Sequence, residues 1–158
     1  MHPESLFDAA IAAARRSPNR VRHVGAVLVP ADGSAVLEAH NSFPDGVSDL
    51  EDRHAGDGRL LWMEHAERNA IFAAARKGLR TDGAVLVCTY FPCLECSRAI
   101  VQAGIRRLHT LRPDYADPVW GQSFLVSEVI LREGGVTVSY APHDAAVVHA
   151  ATMVPPAA

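Results

Sequence analysis

The sequence is poor in the features that mark secreted, membrane-spanning and polynucleotide-binding proteins. It has only 3 cysteines among 158 residues, an odd and small number that does not predict a disulfide framework. It contains no run of about 18 apolar residues, and its first residues lack the charged-then-apolar form of a signal peptide. Its formal net charge of −3 provides no general basic field for a polynucleotide. We therefore expect a cytoplasmic protein whose partners include neither a membrane nor a polynucleotide.

The composition that remains is that of an ordinary globular domain. Hydrophobic residues make up 49% of the chain and charged residues 21%. A chain of 158 residues is long enough to bury a substantial core. We predict a single domain over residues 1–141. Segment 142–158 is rich in alanine, valine and proline without a clear period, and it is predicted to be a tail that is disordered or packed on a neighbouring subunit.

The hydrophobic pattern predicts strands that alternate with helices. A first helix covers Leu6–Arg16 with Ser5 as its N-cap, and a hairpin follows from strand His23–Val29 to strand Ala35–His40. The polar segment 48–60 is predicted to be a loop or a mobile insert. The later elements are helix 64–77, strand 84–88, helix 93–103, strand 105–111, helix 122–132 and strand 136–140. This order, with helices on both faces of the sheet, implies a three-layer α/β fold.

Two short motifs contain side chains that bind metals. The first reads H-x-E from His65 to Glu67, and the second reads P-C-x-x-C from Pro92 to Cys96. A ring nitrogen from His65 and thiolates from Cys93 and Cys96 are ligands that suit zinc. Three protein ligands leave the fourth tetrahedral position for water, which is typical of a catalytic site rather than a structural one. We therefore predict that these three residues hold Zn²⁺.

Glu67 is the residue that we expect to transfer protons at this site. It stands two residues after the ligand His65 and is not needed as a ligand itself. Two thiolates partly cancel the charge of zinc and so weaken its effect on the pKa of a bound water. A nearby carboxylate that accepts the water's proton and passes it on would compensate. Glu67 is therefore the predicted general acid and base.

Other interpretations of the same residues exist. The C-x-x-C pair alone could be a redox pair or half of a structural zinc knuckle, and a lone histidine is more often a satisfied surface or core residue. A binding protein stabilised by zinc would not require Glu67, and a thiol oxidoreductase would not require the H-x-E motif. Cys88 lies in the apolar run 84–88 and is predicted to be a buried core residue.

The combination of H-x-E with P-C-x-x-C resembles the cytidine and deoxycytidylate deaminase family, over nearly the whole chain from Leu6 to Tyr140. The resemblance implies a three-layer α/β/α cytidine deaminase-like fold with a central five-stranded mixed sheet. It also implies a small-molecule nucleotide or nucleobase substrate and a homo-oligomer. The segment Glu64–Ile71 looks most like the deoxycytidylate branch, whose reaction converts deoxycytidylate (dCMP) to deoxyuridylate (dUMP) and ammonia. The same motifs recur in deaminases of other bases and nucleosides, so another amino-heterocycle stays open as the substrate.

The resemblance also implies substrate contacts. Asn41 follows the hairpin where relatives use an asparagine to hold the sugar, although Ser42 stands where the family usually has glycine. An ordinary turn asparagine is the alternative interpretation. The backbone at Ala66 is expected to contact the base, and Phe91 and Pro92 are expected to supply apolar surface and a carbonyl near the pyrimidine's amino group.

The sequence does not locate a phosphate-binding residue. Its candidates, each also interpretable as a solvated surface residue, are Arg20, Arg22, Arg53 and Arg59. His54 lies in the polar insert and is expected to be solvated rather than to bind a second metal. Tyr115 and Trp120 follow in a later loop and could close over a ring, although we expect Trp120 to serve packing.

Overall fold

The computed structural model describes residues 3–153, in which an initial helix and a pair of strands precede a region where helices and strands alternate. The α-helices are α1 (Pro3–Ala14), α2 (Gly58–Trp62), α3 (Ala66–Arg76), α4 (Leu94–Gln102), α5 (Gly121–Glu133) and α6 (Ala145–Thr152). The strands are β1 (Gly25–Val29), β2 (Leu37–His40), β3 (Val85–Cys88), β4 (Arg107–Thr110) and β5 (Thr137–Tyr140). A 3-10 helix, Glu51–His54, precedes α2. Within this described range, no helix is long and apolar enough to cross a lipid bilayer.

The five strands form one mixed sheet in the order β2-β1-β3-β4-β5. Strand β1 runs antiparallel to β2 and β3, whereas β3, β4 and β5 are mutually parallel. The carboxyl ends of β2, β3 and β4 therefore lie at one edge of the sheet, where the chain passes into the helices that follow. This topology confirms the predicted three-layer α/β/α fold with a central five-stranded mixed sheet.

Alternate residues of the strands supply the two halves of the core. Leu28, Leu86 and Leu108 pack with residues of α3, α4 and α5 on one face of the sheet. Val27 and Val87 pack with α1 and α6 on the other face. Because successive strand residues point to opposite faces, both layers of helices bury apolar side chains of the same sheet.

Gly25 lets α1 lie unusually close to the sheet. A Cβ atom at this position would stand 1.8 Å from the carbonyl oxygen of Ala10 and 2.8 Å from the backbone nitrogen of Ala14. Ala10, Ala13 and Ala14 are completely buried at this contact. The alanine-rich sequence of α1 therefore serves close packing.

Three local predictions were wrong in the N-terminal half of the chain. Ser5 is not the N-cap, because it lies inside α1. Pro3 and Glu4 occupy the first turn of this helix. Proline suits the first turn because it needs no N–H partner, and the helix dipole favours an acidic side chain there. Segment 48–60 is not a plain loop, because it contains the 3-10 helix and most of α2. His54 is not solvated: its ring contacts Phe43 edge to face, pairs with Asp49 and is only 5% exposed.

The predicted tail is also wrong for residues 142–153, which continue the packed unit. Asp144 caps α6, accepting a hydrogen bond from the backbone N–H of Ala146. Val148 is 1% exposed, and Arg15 donates from Nε to the carbonyl oxygen of Ala151 over 3.0 Å. Helix α6 thus packs on α1 of its own chain, because a short apolar face without a clear sequence period still covers the end of α1. Residues 154–158 lie outside the described residues.

Candidate active site

Helix α3 presents His65 and Glu67 at its N-terminal end. His65 is the N-cap residue with extended backbone dihedrals, and Glu67 lies in the first turn. The strand-like bridge between Ser42 and Glu64 fixes the chain just before the helix. These positions confirm that the H-x-E motif stands at the start of a helix.

Helix α4 presents the two thiols in the same manner. Cys93 is the N-cap residue and Cys96 lies in the first turn, three positions on and hence on the same side of the helix. The backbone N–H of Leu94 donates to Oγ of Ser123 in α5 over 2.7 Å, which fixes the helix end. Two helix N-termini therefore meet at one point.

The three side chains fit a tetrahedral zinc ion. Nδ1 of His65 lies 3.4 Å from Sγ of Cys93 and 3.5 Å from Sγ of Cys96. Zinc bonds of ordinary length at tetrahedral angles separate a nitrogen and a sulfur ligand by about 3.6 Å. All three ligand atoms lie within 4.8 Å of one another. The geometry therefore accommodates the predicted metal without rearrangement of the chain.

The two thiols have opposite pKa shifts because they are hydrogen-bonded to each other. A hydrogen bond from Cys96 lowers the pKa of Cys93 to about 4 against the cost of burial, and a hydrogen bond from His65 lowers it further. Accordingly the Cys93 bond raises the pKa of Cys96, and burial adds to that effect. The lowered pKa favours the thiolate form of Cys93, which is the form that binds a cation.

Arg68 joins the two helix ends beside this centre. Its guanidinium pairs with Glu64, which directly precedes the ligand histidine, and donates to Oε2 of Glu95 in the first turn of α4 over 2.6 Å. The Arg68 side chain is only 18% exposed. This paired cation also lies close enough to Cys96 to stabilise a thiolate there when a metal binds.

Glu67 lies in the wall of a pocket beside the three ligands. Its side chain is 3% exposed, and it lies outside the group of residues able to hold the metal. Burial raises the pKa of this carboxyl, although the nearby His65 opposes the shift. A carboxyl with a raised pKa beside a cation-binding centre can both accept a proton and donate it again near neutral pH.

Three of the four residues that we expect to contact the substrate line the same pocket. Asn41, Ala66 and Phe91 line it, whereas Pro92 is buried outside its wall. Pro92 directly precedes the N-cap Cys93, so its ring restricts the backbone that enters α4. Pro92 is not part of the pocket wall, and its expected contact with the substrate stays a prediction.

Asn41 is held by the chain on both sides of its amide. Its Oδ1 accepts from the backbone N–H of Val24 over 2.8 Å, and its Nδ2 donates to the carbonyl oxygen of Arg22 over 2.9 Å. The amide thus fixes the segment before β1 against the end of β2. Its expected contact with a sugar stays a prediction.

Several pocket residues were not recognised from the sequence. Trp120 was assigned to packing, and it does pack edge to face on His65 with ring centroids 5.3 Å apart, but it also lines the pocket. Asn19 and Met63 line the pocket and contact each other through Nδ2 and Sδ. Tyr115 does not line it and is 46% exposed. No local sequence signal marks these residues, because loops bring them together.

The candidate arginines divide into two pairs. Arg22 and Arg59 line the pocket. Arg20 pairs with Glu51 at the surface, and Arg53 stacks on the ring of Trp62 at 4.0 Å. Only the first pair can therefore reach a molecule in the pocket.

An α/β/α sandwich with a His-Cys-Cys centre and an adjacent buried glutamate defines the class of zinc-dependent deaminases. The chain belongs to the cytidine and deoxycytidylate deaminase family, whose members are hydrolases that act on C–N bonds. The family description that matches residues 1–111 is "Cytidine and deoxycytidylate deaminase zinc-binding region".

Individual relatives agree with this assignment. An uncharacterised deaminase of Aliivibrio fischeri is 33% identical over 124 residues, which cover 77% of this chain and 80% of that protein. Mouse deoxycytidylate deaminase is 29% identical over 141 residues, covering 85% of this chain and 76% of the mouse protein. The crystal structure of dCMP deaminase from cyanophage S-TIM5 superposes with a TM-score of 0.68 at 26% identity, covering 88% of this chain and 96% of that one.

Proposed function

We propose that the protein hydrolyses the exocyclic amine of a cytosine nucleotide, with conversion of dCMP to dUMP and ammonia as its reaction. The observation that carries this proposal is the position of buried Glu67 in the pocket wall beside His65, Cys93 and Cys96. The cyanophage enzyme, which has also been solved with dCMP and dUMP, is similar over 89% of this chain.

His65, Cys93 and Cys96 would hold the zinc ion. When bound, zinc would supply an acidified water at its open fourth position. Two thiolate ligands are required for such a site. The lowered pKa of Cys93, the guanidinium of Arg68 and the two helix N-termini all favour the thiolate form of these ligands.

Glu67 carries the proton through the reaction. Its carboxylate accepts a proton from the attacking water and delivers it to the ring nitrogen beside the carbon that bears the amine. The water oxygen adds to that carbon, and Glu67 then passes the second proton to the amine, which leaves as ammonia. The carbon–nitrogen bond breaks as the carbonyl forms, so one water is consumed and Glu67 is regenerated.

Arg59 is the residue that we assign to the phosphate. It lines the pocket, and within residues 3–153 its guanidinium has no hydrogen-bond or ion-pair partner. Arg22 also lines the pocket, but its guanidinium pairs with Asp117 and lies over the ring of Tyr90. An arginine without a partner beside the pocket favours a nucleotide over a nucleoside.

Two exposed apolar surfaces support self-association. The surface of α2 exposes Leu61 by 81% and Trp62 by 42%, and α5 exposes Leu125 by 46% and Val126 by 49%. Exposed apolar side chains clustered on helices are typical of subunit interfaces. We propose that the protein is a homo-oligomer, and a monomeric mass in sedimentation equilibrium would contradict this.

We also propose a cytoplasmic location, because the centre requires Cys93 and Cys96 as free thiols.

The substrate assignment is tested by comparing dCMP with deoxycytidine. We expect a higher kcat/KM for dCMP, and we expect Arg59→Gln to reduce that preference by about tenfold, the value of one charge-assisted hydrogen bond. Arg20→Gln is the matched control, since Arg20 pairs with Glu51 away from the pocket. Equal kcat/KM values for the two substrates in the unchanged protein would refute the phosphate site, and activity on a free base or a different ring alone would overturn the substrate.

A further inference from the structure

Asp117 makes an unusual set of contacts for a loop aspartate. It lies between β4 and α5, and its side chain is only 8% exposed. Its Oδ1 accepts from the backbone N–H groups of Val119 and Trp120, each over 2.9 Å. Its Oδ2 pairs with the guanidinium of Arg22, also over 2.9 Å. One carboxylate thus binds two segments that are far apart in the sequence.

Both segments carry side chains of the pocket wall. Trp120 packs edge to face on the ring of His65, and the guanidinium of Arg22 lies over the ring of Tyr90 at 4.7 Å. All four of these side chains line the pocket, whereas Asp117 itself does not. Asp117 therefore lies behind the pocket wall, where it binds the backbone of Trp120 and the guanidinium of Arg22.

The backbone of Arg22 does not depend on Asp117. Oδ1 of Asn19 accepts from the backbone N–H groups of Val21 and Arg22, over 2.9 and 3.0 Å. What Asp117 adds is the direction of the guanidinium, which would otherwise be held on one face only by Tyr90. A carboxylate and an aromatic ring together restrict an arginine to one orientation.

Asp114 in the same loop shows what a turn aspartate does without this role. Its Oδ1 accepts from the backbone N–H of Ala116 over 2.9 Å, and its side chain is exposed. Burial would raise the pKa of Asp117, but the N–H groups of Trp120 and Val119 together with Arg22 lower it overall. The carboxylate of Asp117 therefore stays charged in its buried position, which a turn alone does not need.

We propose that Asp117 is a positioning residue that fixes Trp120 and Arg22 relative to each other in the pocket wall. It thereby determines how the substrate ring is held beside His65. The proposal deepens the proposed function, since it concerns the pocket to which we assign the nucleotide. It is separable from that function, because the position of Trp120 can be observed without turnover.

The experiment uses Trp62→Phe as the parent, which leaves Trp120 as the single tryptophan of the chain. Asp117→Asn keeps an oxygen for the two N–H groups but loses the ion pair with Arg22. We expect unchanged Trp120 emission and a rise in KM of about tenfold, the value of one charge-assisted hydrogen bond. Asp117→Ala loses both contacts, so we expect a red shift of the emission and a rise in KM approaching 100-fold, the order of loss that a misplaced pocket produces.

The controls separate positioning from general damage. Asp114→Asn should leave emission and KM at the parent values. Arg22→Met combined with Asp117→Asn should raise KM no further than Arg22→Met alone, because both changes remove the same pair. The zinc content should stay at one equivalent in every variant, since Asp117 contacts none of the three ligands.

Three results would overturn the proposal. The first is an emission and a KM of Asp117→Ala that equal those of the parent. The second is that Asp114→Asn and Asp117→Asn change emission and KM equally. The third is loss of zinc from Asp117→Asn that is still folded. If the parent itself does not deaminate dCMP, the proposed function fails, and the emission of the two Asp117 variants still decides the positioning role. A red shift in Asp117→Ala alone would then support it, and unchanged emission in both would refute it.

Discussion

Nδ1 of His65 lies 3.4 Å from Sγ of Cys93, although the two residues belong to different helices. Each is the N-cap residue of its helix, His65 of α3 and Cys93 of α4. The ligand geometry is therefore set by how two helix N-termini pack at one edge of the sheet. The positive ends of both helix dipoles point at the thiolates, which favours their charged form.

Loss of one thiol should remove the metal. Cys96→Ser replaces a soft ligand by a hydroxyl that does not ionise at neutral pH, so we expect less than one equivalent of zinc in the purified variant. We also expect a lower thermal midpoint, because a bound metal stabilises only the folded state. The control is Cys88→Ala, which changes a buried cysteine outside the centre and should retain zinc. A full equivalent of zinc in Cys96→Ser would contradict the ligand assignment.

Helix α6 should contribute to the stability of the domain. Val148 is 1% exposed against α1, and its neighbour Val147 is 62% exposed. We expect Val148→Ala to lower the free energy of unfolding by about 1–2 kcal/mol, through lost burial and a small cavity. Val147→Ala should change it by less than about 0.5 kcal/mol. Equal effects of the two substitutions in urea denaturation would show that α6 does not pack as described.

A methyl group at Gly25 should force α1 away from the sheet. Because its Cβ would stand 1.8 Å from a backbone oxygen, no side-chain movement can relieve the clash. We expect Gly25→Ala to cost about 3 kcal/mol or more in unfolding free energy. The control is Gly33→Ala, where nothing lies within 4 Å and only the positive φ of 67° adds strain, of about 1–2 kcal/mol. A smaller loss at Gly25 than at Gly33 would contradict the close contact.

The stabilising effect of Asp117 should depend on pH in a defined direction. Burial opposes ionisation, but its backbone and Arg22 hydrogen bonds lower its pKa below the ordinary value of 3.8. A group with a lowered folded-state pKa stabilises the fold above its unfolded pKa, and this contribution is lost as pH falls through the folded pKa. Asp117→Asn should therefore be less stable than the unchanged protein at pH 7, by about 1–3 kcal/mol.

The same comparison in acid provides the check. The difference in unfolding free energy between the two proteins should shrink below pH 3.8, because Asp117 is then increasingly protonated. Comparison of the two proteins at each pH cancels the titration of the metal ligands. A difference that stays constant from pH 7 into acid would show that the carboxylate charge does not contribute.

The metal centre could be predicted from the sequence because its signals are local. The H-x-E and P-C-x-x-C motifs each lie within one helix start, and Gly78 and Gly104 mark the ends of the same helices with φ of 65° and 74°. The strands could be predicted because β1 and β3 are continuous apolar runs and the other strands place apolar residues at short intervals. In each case the residues that form the feature are neighbours in the chain.

The rest of the pocket could not be predicted because its contacts are non-local. Arg22, Asp117 and Trp120 lie in loops without periodicity, and only the folded sheet brings them to one edge. Helix α6 was mistaken for a tail because its short alanine and valine segment has no distinct polar face. Asn41 was selected by resemblance as a substrate contact, which stays a prediction. Its hydrogen bonds to Val24 and the carbonyl of Arg22 have no signal in the sequence, because these depend on the neighbouring strand.

The central claim is that Glu67 transfers protons beside a zinc ion held by His65, Cys93 and Cys96. The most direct test is ammonia release from dCMP by Glu67→Gln, with zinc measured on the same sample and Glu133→Gln, at the exposed end of α5, as control. We predict one equivalent of zinc, unchanged thermal unfolding and a fall in kcat of about 100-fold or more, as for loss of a general acid and base. Turnover within a few-fold of the unchanged protein, with zinc bound, would contradict the account.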